Sequence, residues 1–238
     1  MNWRRISYDY KLLRGDPMLI LSIMVPFILW ALMFFAFPLI AKQVTNRFSY
    51  DIGQWYKHAA YFFMLLIPMM TGMVYGFILV DERDGGIITA ISVSPAGKSG
   101  YLKTRLSIPM ILSFVFIILF QYTLPLHTSH SILQILLLSA LIASQSLMIL
   151  LVLGAFADNK IVGLALSKGF GILLIGPLLD YILPGAIKWL GAYSPMFWTG
   201  RAFMAGTAQL FWFFLLIALI IHLLIIFILF RRFMRRSN

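Results

Sequence analysis

The sequence predicts an all-α polytopic membrane protein, and three observations carry that prediction. Of the 238 residues, 61% are hydrophobic and only 11% are charged, whereas a soluble domain carries about 25% charged residues. Apolar runs long enough to cross a bilayer, about 20 residues each, recur along the whole chain. These runs are continuous, whereas a strand-built barrel needs short alternating segments. Six stretches qualify as spans: 17–41, 58–80, 106–126, 132–156, 161–183 and 209–230. Of the 19 basic and 8 acidic residues, only Lys168 and Asp180 fall inside them. The chain reads as one transmembrane domain over residues 1–238.

Residues 1–16 place Trp3, Ile6, Tyr10 and Leu13 at helical spacing, with Arg4, Lys11 and Arg14 turned elsewhere. That pattern predicts an interfacial helix, broken at Gly15-Asp16-Pro17, with Pro17 suited to the first turn of span one. A cleavable signal is not expected, because a charged amphipathic segment precedes an apolar run that is too long. In span two, Gly72 and Gly76 form a small-x-x-x-small pair that suits a helix-packing notch.

Residues 81–100 form the loop after span two. Asp81, Glu82 and Asp84 precede Ile87, Ile88, Ile91 and Val93, and acids at a helix start complement its dipole. The pattern predicts a short amphipathic helix from about Gly86 to Val93, stopped at Ser94-Pro95, followed by a turn over Ala96–Gly100 into span three. An apolar face on the water side of a membrane implies a docking partner. Gly97-Lys98-Ser99 matches the end of a phosphate-binding loop. The first glycine position of that motif is Ser92, however, a proline interrupts it, and no strand precedes it. Nucleotide binding by this chain is therefore not expected. Residues 184–208 are too broken by Gly and Pro for a span, yet rich in Trp189, Phe197, Trp198 and Phe203. They predict short re-entrant helices capping the outer end of the bundle.

Six spans put both termini on one side. That side holds Arg4, Arg5, Lys11, Arg14, Arg83, Lys98, Lys103, Arg105, Lys160, Arg231, Arg232, Arg235 and Arg236, 13 cations in all. The opposite side holds 5: Lys42, Arg47, Lys57, Lys188 and Arg201. By the positive-inside rule both termini and the 81–100 loop are cytoplasmic. The net charge of +11 then speaks for orientation and anionic lipid headgroups and against nucleic acid. There are no cysteines, so disulfides and thiolate metal sites are excluded.

Few polar residues stand out. Lys168 is placed to snorkel to the inner interface, and Asp180, near the outer end of span five, to face water. His127 and His130 lack a nearby carboxylate and make a poor metal site, and His222 suits a hydrogen-bonded interior position. Span four is the most polar: Gln134, Ser144 and Gln145, with Ser139 and Ser146, either line a substrate path or hydrogen-bond across helices. No metal or cofactor site is expected in the chain.

The stretch "ERDGGIITAISVSP" resembles the E-R-E-x-G-T-L-E-x-L-x-V-[ST]-P stretch of the export-type, type-2 ATP-binding-cassette (ABC) permeases. Glu82, Arg83, Asp84, Gly86, Val93, Ser94 and Pro95 match in identity or charge, and Ile88 and Ile91 in apolar character. Ile87 and Thr89 depart from the usual Thr and Glu. The likeness extends to the interfacial helix, the six spans, "DNKIVGLALSK" and "LPGAIKWLGAYSPMFW". It implies that the loop after span two is a coupling helix seated on a separate cytoplasmic ATPase. Glu82, Arg83, Asp84, Ser94 and Pro95 would supply polar and turn contacts, and Ile87, Ile88 and Ile91 apolar ones. It further implies a pore shared with a second permease copy or a sister permease, and ATP and Mg bound only on the partner. The cargo would be an antibiotic, an antimicrobial peptide or another amphiphile, and lipid or polysaccharide export would use the same architecture. The implied location is a plasma membrane, in all expectation bacterial.

Two other classes stay in view. An ion-driven secondary transporter would need carboxylates at mid-membrane, and spans one to four and six carry no formal charge. An intramembrane enzyme would need a converging nucleophile or metal set, whereas His58, His127, His130 and Asp180 are expected to be scattered over the outer side without forming a recognisable set.

Overall fold

A computed structural model describes residues 17–87, 97–126, 128 and 130–236. Among these residues every regular element is helical, and six helical segments are long and apolar enough to cross a membrane: Ser22–Phe48, Ile52–Asp84, Gly100–Thr123, Ile132–Phe156, Lys160–Ile182 and Ala208–Arg236. The all-α, six-span prediction holds. The predicted interfacial helix over 1–16, together with His127, lies outside the described residues.

Spans two and four form the centre. In their most apolar stretches 67% and 72% of residues are buried, against 17%, 33%, 28% and 28% for spans one, three, five and six. The sequence reason is the pair of glycines at 72 and 76. A Cβ on Gly72 would meet the Ser146 carbonyl oxygen at 2.6 Å, and one on Gly76 would meet Leu153 Cδ1 at 2.6 Å. Only a hydrogen fits where these two helices touch, so the notch read from the sequence is the seam of the bundle. Peripheral spans leave apolar side chains such as Phe35, Ile161, Ile172 and Leu223 exposed, as lipid-facing helices do.

Span one contains a π-helical segment, Leu32–Ala36, between two α-helical parts. The Phe37 N–H bonds to Leu32 O, and the next residue, Pro38, has no N–H to give. The Met33 carbonyl therefore loses its usual donor, and Tyr56 OH at 3.1 Å supplies one from the start of span two. The helix continues to Phe48, beyond the predicted end at 41, and closes on Ser49 in the left-handed region.

Further boundaries differ from expectation, among them the end of span six, which runs on from the predicted 230 to Arg236. Span two runs to Asp84, where Gly86, at φ +71°, ends it. The Gly85 N–H bonds Asp81 O and the Gly86 N–H bonds Arg83 O, so a coupling helix starts no earlier than Ile87. Span three begins at Gly97, so Gly97 to Gly100 form its first turn and not the connecting turn predicted for them. The predicted body of the coupling helix, 88–96, lies outside the described residues.

After span five, Ile187–Tyr193 form a 3-10 helix and Pro195–Phe203 a short α-helix capped by Ser194 Oγ. Short helices over 184–208 were expected, and their seat is specific. Gly176 of span five and Gly191 of the 3-10 helix touch backbone to backbone: a Cβ on Gly191 would overlap the Gly176 carbonyl oxygen. Ser194 Oγ donates to Leu173 O at 2.6 Å, and Tyr61 OH of span two donates to Met196 O at 2.7 Å.

Candidate functional site

Polar chemistry collects at the two ends of the bundle. At the end carrying Arg236, five helix ends are tied together. Arg83, in the last turn of span two, donates to the carbonyls of Gly154 (3.1 Å), Ala157 (2.6 Å) and Asp158 (3.0 Å). These carbonyls lie at and just beyond the C-terminus of span four, where orphan acceptors and the negative end of the dipole favour a cation. Arg236 of span six donates to Ala155 O at 3.0 Å and pairs with Asp158. Lys160, opening span five, pairs with Asp81 at 2.7 Å. Glu82 accepts from Tyr101 and Arg105 of span three.

This arrangement sorts the residues read as ATPase contacts. Glu82 and Arg83 are engaged within the chain. Asp84 lies 3.5 Å from Arg83 with its carboxylate partly exposed, and Ile87 is exposed. Ile88, Ile91, Ser94 and Pro95 lie outside the described residues. Arg105, Tyr101, Asp158 and Arg236 were not singled out from sequence. Asp158, two residues past the end of span four, was the legible signal, because a carboxylate beside a helix terminus calls for a cation.

The span-four residues read as a substrate path are all buried. Gln134 closes a capping box with Ser131: its Oε1 accepts the Ser131 N–H at 2.8 Å, and Ser131 Oγ accepts the Gln134 N–H. Ser144 Oγ donates to Leu141 O at 2.7 Å beside a break in the helix. Gln145 Nε2 reaches Thr199 Oγ1 at 3.3 Å, and Gln145 Oε1 is buried without a hydrogen-bond partner. Of the two readings left open, the contacts in this chain are those of helix capping and cross-helix bonding.

The opposite end holds a cavity of about 320 Å³ lined by His58, Asp180, Tyr181, Lys188, Arg201, Met204, Ala205, Gly206, Leu210 and Phe214. Asp180 does not face water as expected. Its side chain is only 10% exposed and its carboxylate lies 2.7 Å from Arg201 Nη2. The contact is an ion pair off the hydrogen-bond angle, because Nη2 and Nε of Arg201 both lack an acceptor. The guanidinium sits over Trp189 at 4.6 Å, Phe197 at 5.2 Å and Phe214 at 5.5 Å from the ring centroids. His58 Nδ1 and Tyr181 OH are also buried without hydrogen-bond partners, and their rings meet edge to face at 4.4 Å. Among the described residues Lys188 forms no ion pair. His130 bonds Phe203 O at 3.1 Å and packs on Phe211, and burial pushes its imidazole pKa down. His222 is interior, as expected, bonded to Ala218 O at 2.7 Å, and Lys168 is exposed.

A family model described as "Fluoroquinolones export permease protein Rv2686c-like" matches residues 9–230. The chain belongs to this family. Two curated relatives of this permease are the "Fluoroquinolones export permease protein Rv2686c" of Mycobacterium tuberculosis (strain ATCC 25618 / H37Rv) and its counterpart MT2760 of strain CDC 1551 / Oshkosh. Each is 24% identical over 221 residues, covering 92% of this permease and 88% of the relative. No solved structure matches it. The permease is thus a multi-pass membrane protein of an export family, a transport component rather than an enzyme.

Proposed function

We propose that this permease is the membrane-spanning subunit of an ABC exporter that moves an antibiotic of the fluoroquinolone kind. The observation that carries the reading is the family match over residues 9–230, with both relatives named for that export. The pore forms with a second permease copy or a sister permease, and separate cytoplasmic ATPase subunits, which bind the ATP and Mg, dock on residues 81–98. The distribution of 13 cations against 5 supports cytoplasmic termini in a bacterial plasma membrane.

The fastening at the Arg236 end refines which side chains meet the ATPase. Asp84 and Ile87 are exposed at the loop entrance and supply contacts. Glu82 and Arg83 hold that entrance against spans three and four. Charge and apolar surface presented on a short segment held by three helices suit a groove-docked coupling element better than a solvated loop.

The test is fluoroquinolone accumulation in a susceptible bacterium expressing the permease with and without its ATPase. Permease plus ATPase lowers accumulation severalfold, whereas permease alone, or with an ATPase unable to hydrolyse ATP, does not. Fluoroquinolone export driven by a proton gradient through the purified permease alone in liposomes would overturn the reading in favour of an ion-driven carrier. Orientation is checked separately, because the chain has no cysteine background. Arg235→Cys stays unlabelled by an impermeant thiol reagent on intact cells, while Gly206→Cys reacts.

A further inference from the structure

We propose that the cavity at the Asp180 end is a binding site for the anionic end of a flat aromatic amphiphile, with Lys188 and Arg201 holding its carboxylate. The inference rests on the export reading above and names a cargo contact that neither the family match nor the relatives' names assign.

Three features point to that chemistry. First, the lining carries two cations, Lys188 and Arg201, against one carboxylate, Asp180, so one positive charge has no counterpart in the wall. Lys188 forms no ion pair among the described residues, whereas Arg201 is already paired to Asp180 at 2.7 Å. A carboxylate is an acceptor-only group that guanidinium and ammonium donors bind with charge-assisted bonds. Secondly, the remaining wall is apolar and aromatic, with Phe214, Leu210 and Met204 beside the cations. A ligand whose charge is attached directly to a flat ring matches both halves at once. Thirdly, about 320 Å³ is within the ordinary range for small-molecule sites, roughly 300–1,000 Å³. Fluoroquinolones, aromatic ring systems bearing a carboxylate, fall in this class.

The position argues in the same direction. The cavity is built from spans two, five and six together with both short helices, so it lies where relative movement of those elements changes its shape. It also lies at the end opposite the ATPase-coupling loop, where an exported cargo would leave.

The full chain in neutral-lipid nanodiscs tests the proposal through the intrinsic fluorescence of a fluoroquinolone, compared with the methyl ester of the same compound. The acid is expected to bind about tenfold more tightly than the ester, the difference that one charge-assisted contact makes. Lys188→Gln brings the acid close to the ester and leaves the ester unchanged, and Lys188→Glu abolishes binding of the acid. Among the described residues Lys188 makes no ion pair within 4 Å and has only a longer-range attraction to Asp180, so these variants keep the fold. Equal binding of acid and ester, or an acid affinity untouched by Lys188→Gln, overturns the site. Displacement of the acid by phosphatidylglycerol-rich bilayers, relieved by Lys188→Gln, would assign the cavity to a lipid headgroup instead. Loss of the acid–ester difference with ATP-driven export intact removes this site and leaves the transport reading standing. The difference without export does the reverse.

Discussion

The two ends of the bundle use similar residues to opposite effect. At the Arg236 end, Arg83 and Arg236 rest on backbone carbonyls of span four, Glu82 on Arg105 and Tyr101, and each donor has found an acceptor. At the Asp180 end, Arg201 lies against aromatic rings with Nε unbonded, and His58 and Tyr181 are likewise unfinished. A satisfied cluster fixes geometry, whereas an under-satisfied one in a low-dielectric setting stores an unmet demand for a partner. The first is suited to fastening and the second to receiving something.

That contrast can be broken in graded steps. Asp180→Ala is expected to have the largest effect, because it strands Arg201 without its counter-charge. Loss of one member of a buried pair costs about 3–5 kcal/mol, read as unfolding in detergent, and the Asp180→Ala/Arg201→Met double variant should recover part of that loss. Gly191→Ala comes next. Its methyl would lie on the Gly176 carbonyl oxygen and 2.8 Å from Phe197 Cδ2, and such overpacking costs about 1–3 kcal/mol, with the 3-10 helix lifting off span five as heightened proteolysis between residues 184 and 194. Arg83→Ala removes three donor contacts at a partly buried rim and should cost about 1.5 kcal/mol. Its sharper readout is faster hydrogen exchange at the end of span four. Lys160→Ala should change stability least, by no more than about 1 kcal/mol, because its pair with Asp81 is more exposed on both sides, 43% and 46%, than Arg201 and Asp180 at 15% and 10%. Raised salt should erase the Lys160 effect and leave that of Asp180→Ala. Equal salt sensitivity at both ends would dissolve the contrast.

Much of the frame was legible in the sequence, because hydrophobic length alone defines a span and Gly72-x-x-x-Gly76 defines a seam. The boundaries were less so: Lys42 and Arg47 looked like loop, yet the helix carries on through them to Phe48. Ser131-x-x-Gln134 was a readable capping box, because Ser three residues before Gln ahead of an apolar run is its signature. The cavity was the least legible part. Asp180 and Arg201 are 21 positions apart, and their meeting depends on the Gly176–Gly191 contact, which folds the short helices back onto span five. A local pattern cannot express a pairing made by tertiary approach, so Asp180 looked free when read alone.

The carbonyls that Arg83 grips have a mechanical consequence. Span two does not end as an independent rod: through Arg83, Asp81, Glu82 and Arg236 its terminus is stitched to the ends of spans four, five, six and the start of three. A push delivered to the loop at Gly85–Ile87 is therefore shared by five helices at once. On the proposed coupling, the loop would be the short arm of a stiff lever, with the glycine seam between spans two and four as its shaft and the Asp180 end as its far tip.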